Sequence, residues 1–236
     1  MSPDAPTRAP LRLAGFVPFS TVDRPGHLVA TAFTQGCPWR CTYCHNPALI
    51  DPRRRPGATW SELLDLLERR RRMLDGLVIS GGEPTLHPGL ADACRDVRDL
   101  GLEVGLHSGG AWPARLAHVL PLVDWVGLDV KALPDRYEEV TGAAPSGRAA
   151  WESVRLLVES GVDHEVRTTV DPTVHTRDEV LAIGARLTAI GVRRWVVQEA
   201  RPDGARAGWV RRLDRRRLSD VLYDDDLPGV ERRVGV

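Results

Sequence analysis

The sequence predicts an α/β fold in the form of an incomplete (β/α)6 barrel, a partial TIM barrel, and three observations carry this reading. Short apolar runs alternate with helical patterns through most of the chain, as repeated strand and helix units around a parallel sheet do. Six such runs occur, too few for a complete eight-stranded barrel. At 236 residues and 26.0 kDa the chain suits one core. Residues 1–236 therefore read as a single domain, with the core over about residues 15–200 and a charged C-terminal extension over 201–236.

The candidate strands centre on Leu28 to Phe33, Leu77 to Ile79, Val104 to Leu106, Trp125 to Val130, Glu165 to Val170 and Trp195 to Val197. Helix starts lie between them. Thr59 with Glu62, and Thr176 with Glu179, have the spacing of capping boxes, in which a side-chain oxygen and a carboxylate satisfy orphaned amides. Gly101, Gly161 and Gly191 follow helical stretches and read as helix stops. In the tail, Arg211 to Arg217 precede Asp224 to Asp226, while Val210, Leu213, Leu218 and Val221 keep a roughly helical spacing. A helix with a solvated charged face is expected there.

Composition excludes several classes of function. Lys+Arg and Asp+Glu both total 32, so the basic excess that draws proteins to nucleic-acid phosphates is missing and no nucleic-acid partner is expected. No run is long and apolar enough to cross a bilayer, and MSPDAPTRAP lacks a charged head followed by an apolar stretch, so no membrane association and a cytoplasmic location are expected. Three of the four cysteines crowd into one octapeptide, unlike a secreted disulfide framework. Lys131 is the only lysine in the chain.

The segment GCPWRCTYCHNP places Cys37, Cys41 and Cys44 in a tight loop after the Leu28 to Phe33 strand, and Gly36, Pro38 and Pro47 keep it from being a helix. Three thiolates can hold a cuboidal four-iron cluster and leave one iron open for a cofactor or substrate. The alternative is zinc, with His45 or Cys94 as a fourth ligand. Further on, ISGGEP follows a short strand, and paired glycines let a backbone approach a ligand closely. Asp129 and Lys131 share one face of their strand, and Glu165, Arg167 and Thr169 one face of the next. Buried parallel strands are usually apolar on both faces, so these polar faces point to a cavity.

The motif Cys37-x-x-x-Cys41-x-Tyr43-Cys44 resembles the signature of the radical S-adenosylmethionine superfamily. With STVDRPG and FTQGCPWRCTYCHNP, the chain is similar to activating enzymes of glycyl radical proteins. Activators of anaerobic ribonucleoside-triphosphate reductase come first and pyruvate formate-lyase activases next, over about Gly15 to Gln198. This resemblance implies one [4Fe-4S] cluster held by Cys37, Cys41 and Cys44, with S-adenosylmethionine chelating the open iron. It further implies reductive cleavage to a 5′-deoxyadenosyl radical, hydrogen abstraction from a glycine of a partner enzyme, and flavodoxin or ferredoxin as electron donor. Gly81, Gly82 and Glu83 would hold the cofactor's amino group, and Asp129, Lys131 and Arg167 would meet its carboxylate and sulfonium region. Tyr43, His45 and Ser108 would make further cofactor contacts, and Lys131 joins the cysteines in the catalytic set.

One motif departs from the family. His107, Ser108, Gly109 and Gly110 stand where relatives carry Asp-Thr-Asn-Gly, and a neutral imidazole does not replace the Asp charge that helps hold a monovalent cation. Two other functions compete: a radical enzyme acting on a small molecule, such as a deazapurine synthase, and a non-catalytic zinc module. Nothing in the chain resembles an extra cluster domain or a dedicated substrate domain, which favours a large external partner.

Overall fold

The computed structural model describes residues 11–234. Eight strands make one sheet in sequence order: β1 (Leu13–Ser20), β2 (Val29–Thr34), β3 (Gly76–Gly81), β4 (Glu103–Ser108), β5 (Trp125–Asp129), β6 (Asp163–Val170), β7 (Trp195–Glu199) and β8 (Glu231–Arg233). β1 is antiparallel to β2, and every later pair is parallel. The order runs from β1 to β8 without those two pairing, so the sheet is an open barrel. The six expected strands are β2 to β7. β1 and β8 add to them because each breaks the rule for a buried strand: Pro18 lies inside β1, where only an edge strand tolerates it, and β8 reads Glu-Arg-Arg.

Helices fill the connections: α1 (Trp60–Arg70), α2 (Leu90–Asp99), α3 (Pro113–Val119), α4 (Tyr137–Thr141), α5 (Gly147–Ser160), α6 (Arg177–Ile190) and α7 (Ala207–Leu213). Both capping boxes form, at Thr59 with Glu62 and at Thr176 with Glu179. Gly161 and Gly191 end α5 and α6 with left-handed backbones, φ 72 and 97. On the outer face of the sheet, Leu77, Ile79, Leu106, Val126, Leu128 and Val166 belong to one buried cluster with Leu63, Val97, Leu116, Leu157 and Ile183 of the helices. Each such side chain contributes about 1.5–3 kcal/mol on burial. Intervening strand positions turn inward and carry Ser80, His107, Asp129 and Arg167, which contact one another.

The tail differs from the single helix that its spacing suggests. α7 stops at Leu213, Asp214 turns the chain with φ 53, and a separate 3-10 turn spans Leu218–Asp220. Leu218, Val221 and Leu222 pack there with Val170, Val180 and Val197 in a second small core, so the apolar set covers β6, β7 and α6. Among the described residues no helix is long and apolar enough to cross a membrane.

Candidate active site

The cysteine loop leaves β2 and is pinned from two sides. Gly36 N donates to Leu49 O at 2.7 Å and Cys37 N to Ile50 O at 3.1 Å, while Arg40 N and Thr42 N donate to Thr141 O and Val140 O at 2.8 and 2.9 Å. The end of α4 thus serves as a template for an irregular backbone. All four cysteines are free thiols, with Cys41 and Cys94 buried. Burial pushes the Cys37 thiol up to about 12 and raises Cys41 as well, so both thiols stay protonated until a metal's charge draws the proton off.

The donor set fits a cluster better than a single ion. Among the described residues no three His, Cys, Asp or Glu groups converge on one metal position, whereas a cluster takes one thiolate at each of several irons. Neither candidate fourth zinc ligand joins the three thiols. His45 Nδ1 faces Asp203 O at 3.2 Å, and Cys94 is sealed inside the packing face of α2.

Across from the loop, β5 and β6 present a charged trio. Asp129 and Arg167 are register partners, and Arg167 Nε donates to Asp129 Oδ1 at 3.0 Å. Lys131 Nζ lies 3.5 Å from Asp129 Oδ2. Partial burial opposes ionisation of Asp129, but Arg167 and Lys131 outweigh it and hold its pKa down at about 2. Burial likewise opposes the charge of Lys131, and anionic neighbours including Asp129 reverse the effect, leaving its pKa above the usual lysine range. The ammonium sits 5.8 Å from the ring centroids of both Trp39 and Tyr43, two residues of the cysteine loop. Tyr43 is buried, and its hydroxyl has no partner among the described residues, an orphaned polar atom in this region.

Glu83 is buried and held by several donors. Its Oε1 accepts from Thr85 N, Thr85 Oγ1 and Ser108 Oγ at 3.1, 2.6 and 2.7 Å, and Oε2 accepts from Gly109 N at 2.8 Å. The carboxylate therefore braces the exit of β3 against the exit of β4, and Oε2, with one donor, keeps acceptor capacity for a cofactor ammonium. Gly82 has no space for a side chain, since a Cβ there would lie 2.1 Å from Gly36 O. Gly82 N and Glu83 N donate to Thr34 O and Gly36 O, both at 2.9 Å, which locks this turn to the start of the cysteine loop.

The departure at His107 to Gly110 has a local explanation. His107 Nε2 lies 2.7 Å from Asp23 O, a carbonyl that can only accept, so Nε2 carries the proton and Nδ1 accepts from Ser80 Oγ at 3.3 Å. Burial, followed by the Arg167 cation, depresses the His107 pKa to about 3 and keeps it neutral. A Cβ at Gly109 would stand 2.3 Å from the Trp39 ring, so this glycine makes room for the aromatic residue of the cysteine loop. Gly127 does the same inside the barrel, where a Cβ would crowd His107, Trp125 and Arg167 within 2.9–3.0 Å.

One expectation changes. Glu165 does not join Arg167 in the site. It is fully buried and clamped by Arg194 Nε at 2.9 Å and by both terminal nitrogens of Arg233 at 2.8 Å, so β8 neutralises it. His45, expected among the cofactor contacts, is exposed, with Nδ1 3.2 Å from Asp203 O. Several residues that line or brace the site escaped the sequence reading. Trp39 and Tyr137 stack edge to face at 5.8 Å, and Lys131 N donates to Tyr137 Oη at 3.0 Å. Asp171 continues the inward alternation of Arg167 and Thr169, and that period of two is the signal that could have found it.

A family model described as the radical SAM superfamily matches residues 31–193. The chain belongs to the radical SAM superfamily. It is an enzyme of this class, and the cofactors of the class are a [4Fe-4S] cluster bound through three cysteines and S-adenosylmethionine. Among relatives, a Methanocaldococcus jannaschii protein named as a glycyl-radical enzyme activating enzyme is 29% identical over 175 residues, 71% of this chain and 72% of its own length. The pyruvate formate-lyase-activating enzyme of Clostridium pasteurianum is 32% identical over 160 residues, 65% of this chain and 66% of its own length. The crystal structure of Streptococcus suis SuiB bound to S-adenosylmethionine superposes with a TM-score of 0.59 at 12% identity, over 86% of this chain. This radical SAM chain spans 48% of the SuiB chain, so that likeness is one of fold.

Proposed function

We propose that this radical SAM protein is an activase that generates a glycyl radical on a partner enzyme, with the large subunit of an anaerobic ribonucleoside-triphosphate reductase as its target. The observation that carries this reading is the meeting of the cysteine loop, the Gly81 to Glu83 turn and the Asp129, Lys131 and Arg167 trio at one end of an open barrel. In this reading Cys37, Cys41 and Cys44 hold the cluster, and flavodoxin or ferredoxin supplies electrons in the cytoplasm. When bound, the cluster and S-adenosylmethionine supply reductive cleavage to methionine and a 5′-deoxyadenosyl radical, the species that takes a glycine hydrogen.

The chain's own residues bind and orient. Lys131 and Arg167 share one carboxylate, so the trio keeps one net positive charge for the cofactor's own carboxylate. Glu83 supplies the complementary negative charge for the amino group, at a turn whose glycines let the ligand approach the backbone. Tyr43 and Ser108 complete the polar lining. The neutral His107 offers no charge to a monovalent cation, so activity independent of added potassium or sodium is expected.

Anaerobic incubation with the reductase large subunit, reductant and S-adenosylmethionine tests the proposal, with electron paramagnetic resonance reading the glycyl doublet. A doublet confirms the target. A doublet only with a formate-lyase-type partner moves the assignment to pyruvate formate-lyase activation, the reading that the Clostridium pasteurianum relative favours. Deoxyadenosine formed with neither partner points to a small-molecule substrate.

A further inference from the structure

Asp171 lies one residue beyond β6 and is fully buried. Its Oδ2 accepts from Thr42 Oγ1 at 2.6 Å and from Trp209 Nε1 at 2.8 Å, and its Oδ1 accepts from Thr173 N and Oγ1 at 2.9 and 2.7 Å. Four donors fill the capacity of this carboxylate. Thr42 sits between Cys41 and Cys44, so the carboxylate joins the cysteine loop to α7. Arg206, just before α7, reaches the same loop directly: its Nη1 lies 3.2 Å from both Arg40 O and Cys41 O. Asp203 O faces His45 Nδ1, and a Cβ on Gly204 would stand 2.3 Å from His45 O. The segment 203–209 therefore meets the loop at residues 40, 41 and 45 directly, and at residue 42 through Asp171.

We infer that the segment from Asp203 to Trp209 is a clamp that positions the cysteine loop for its cluster, with Arg206 and Trp209 as its positioning residues. The inference rests on Cys37, Cys41 and Cys44 being the ligands. The loop has no regular structure of its own, so its backbone direction depends on such outside partners. Arg206 also fixes a cation beside a loop that carries three thiolates once loaded, and local charge and hydrogen bonding set cluster potential. The charged tail thereby becomes part of the cluster's surroundings.

The test uses the full-length reconstituted protein and the variants Arg206→Gln, Trp209→Phe and Arg206→Lys. Trp209→Phe removes the indole N–H and leaves a smaller aromatic ring in its place. Iron loss to a chelator should be about tenfold faster in Arg206→Gln and in Trp209→Phe, the usual scale for outer partners of metal ligands. Amide exchange in the unloaded variants should accelerate within residues 37–46, with the rest of the sheet as protected as before. The cluster midpoint potential should fall in Arg206→Gln and return in Arg206→Lys. Unchanged iron loss and exchange in an Arg206→Gln, Trp209→Phe double variant overturns the clamp, as does faster exchange spread evenly over the sheet. Iron retained by a Cys37→Ala, Cys41→Ala, Cys44→Ala triple variant overturns the ligand assignment instead, and the exchange measurement then judges the clamp alone.

Discussion

Arg167 and Asp129 face each other across registered positions of β5 and β6, with Nε 3.0 Å from Oδ1, while the other carboxylate oxygen is left to Lys131. The bond turns Arg167 along the inner face of the barrel and halves the free charge of the trio. Arg167→Ala is expected to weaken S-adenosylmethionine binding about tenfold, the scale of one charged hydrogen bond, at unchanged iron content. Isothermal titration of the loaded protein reads this, and equal affinity assigns Arg167 a bracing role only.

Lys131 lies between two rings and a carboxylate in a space shaped for a compact ammonium. A guanidinium is a wide planar fork and would press on Trp39 or Tyr43. Lys131→Arg should keep its fold and iron yet slow deoxyadenosine formation by about tenfold or more, with Lys131→Met at least as damaging. Wild-type product formation by a fully loaded Lys131→Arg protein would remove Lys131 from the catalytic set.

The neutral His107 links stability to pH. Its folded pKa of about 3 lies below the roughly 6.5 of an unfolded histidine, so its contribution is fully present above about pH 6.5 and is lost progressively as pH falls toward 3. His107→Gln keeps a donor for Asp23 O and does not titrate. Denaturant titrations between pH 7 and pH 4 should show a shallower loss of stability in that variant, and an identical slope would mean that other groups carry the acid response.

Cysteine substitutions should divide cleanly. Cys37→Ala, Cys41→Ala and Cys44→Ala should each abolish cofactor cleavage. Cys94→Ala should retain it, at a stability cost of about 1–2 kcal/mol for the void left in the α2 packing face. Iron content and thermal melting of the four variants distinguish these outcomes, and loss of the cluster from a folded Cys94→Ala protein contradicts the three-ligand set.

Much of the fold was legible because β2 to β5 are mostly buried and appear as short apolar runs, because β6 and β7 keep an apolar core, and because the capping boxes are local. β1 and β8 were not legible, since an edge strand can hold Pro18 and a three-residue strand of Glu and Arg has no apolar signal. Within the site, residues adjacent in sequence were readable together: the cysteine trio, Gly81 to Glu83, and Asp129 with Lys131. Contacts between distant segments were not. Nothing local to Trp209 or Arg206 announces that they meet residues 40–42, and the periodicity that marked Arg167 also marked Glu165, which is matched by Arg233 from the far edge of the sheet.

The bonds from Arg206 and Trp209 to the neighbourhood of Thr42 also impose an order of assembly during synthesis. The cysteines leave the ribosome before the residues that steady them, since Arg206 lies 165 residues after Cys41. Until residues 206–209 are made, the three thiols belong to a nascent chain whose sheet can begin to pair while their loop still lacks these supports. The finished loop is thus completed only when the segment that carries Arg206 and Trp209 folds back onto it.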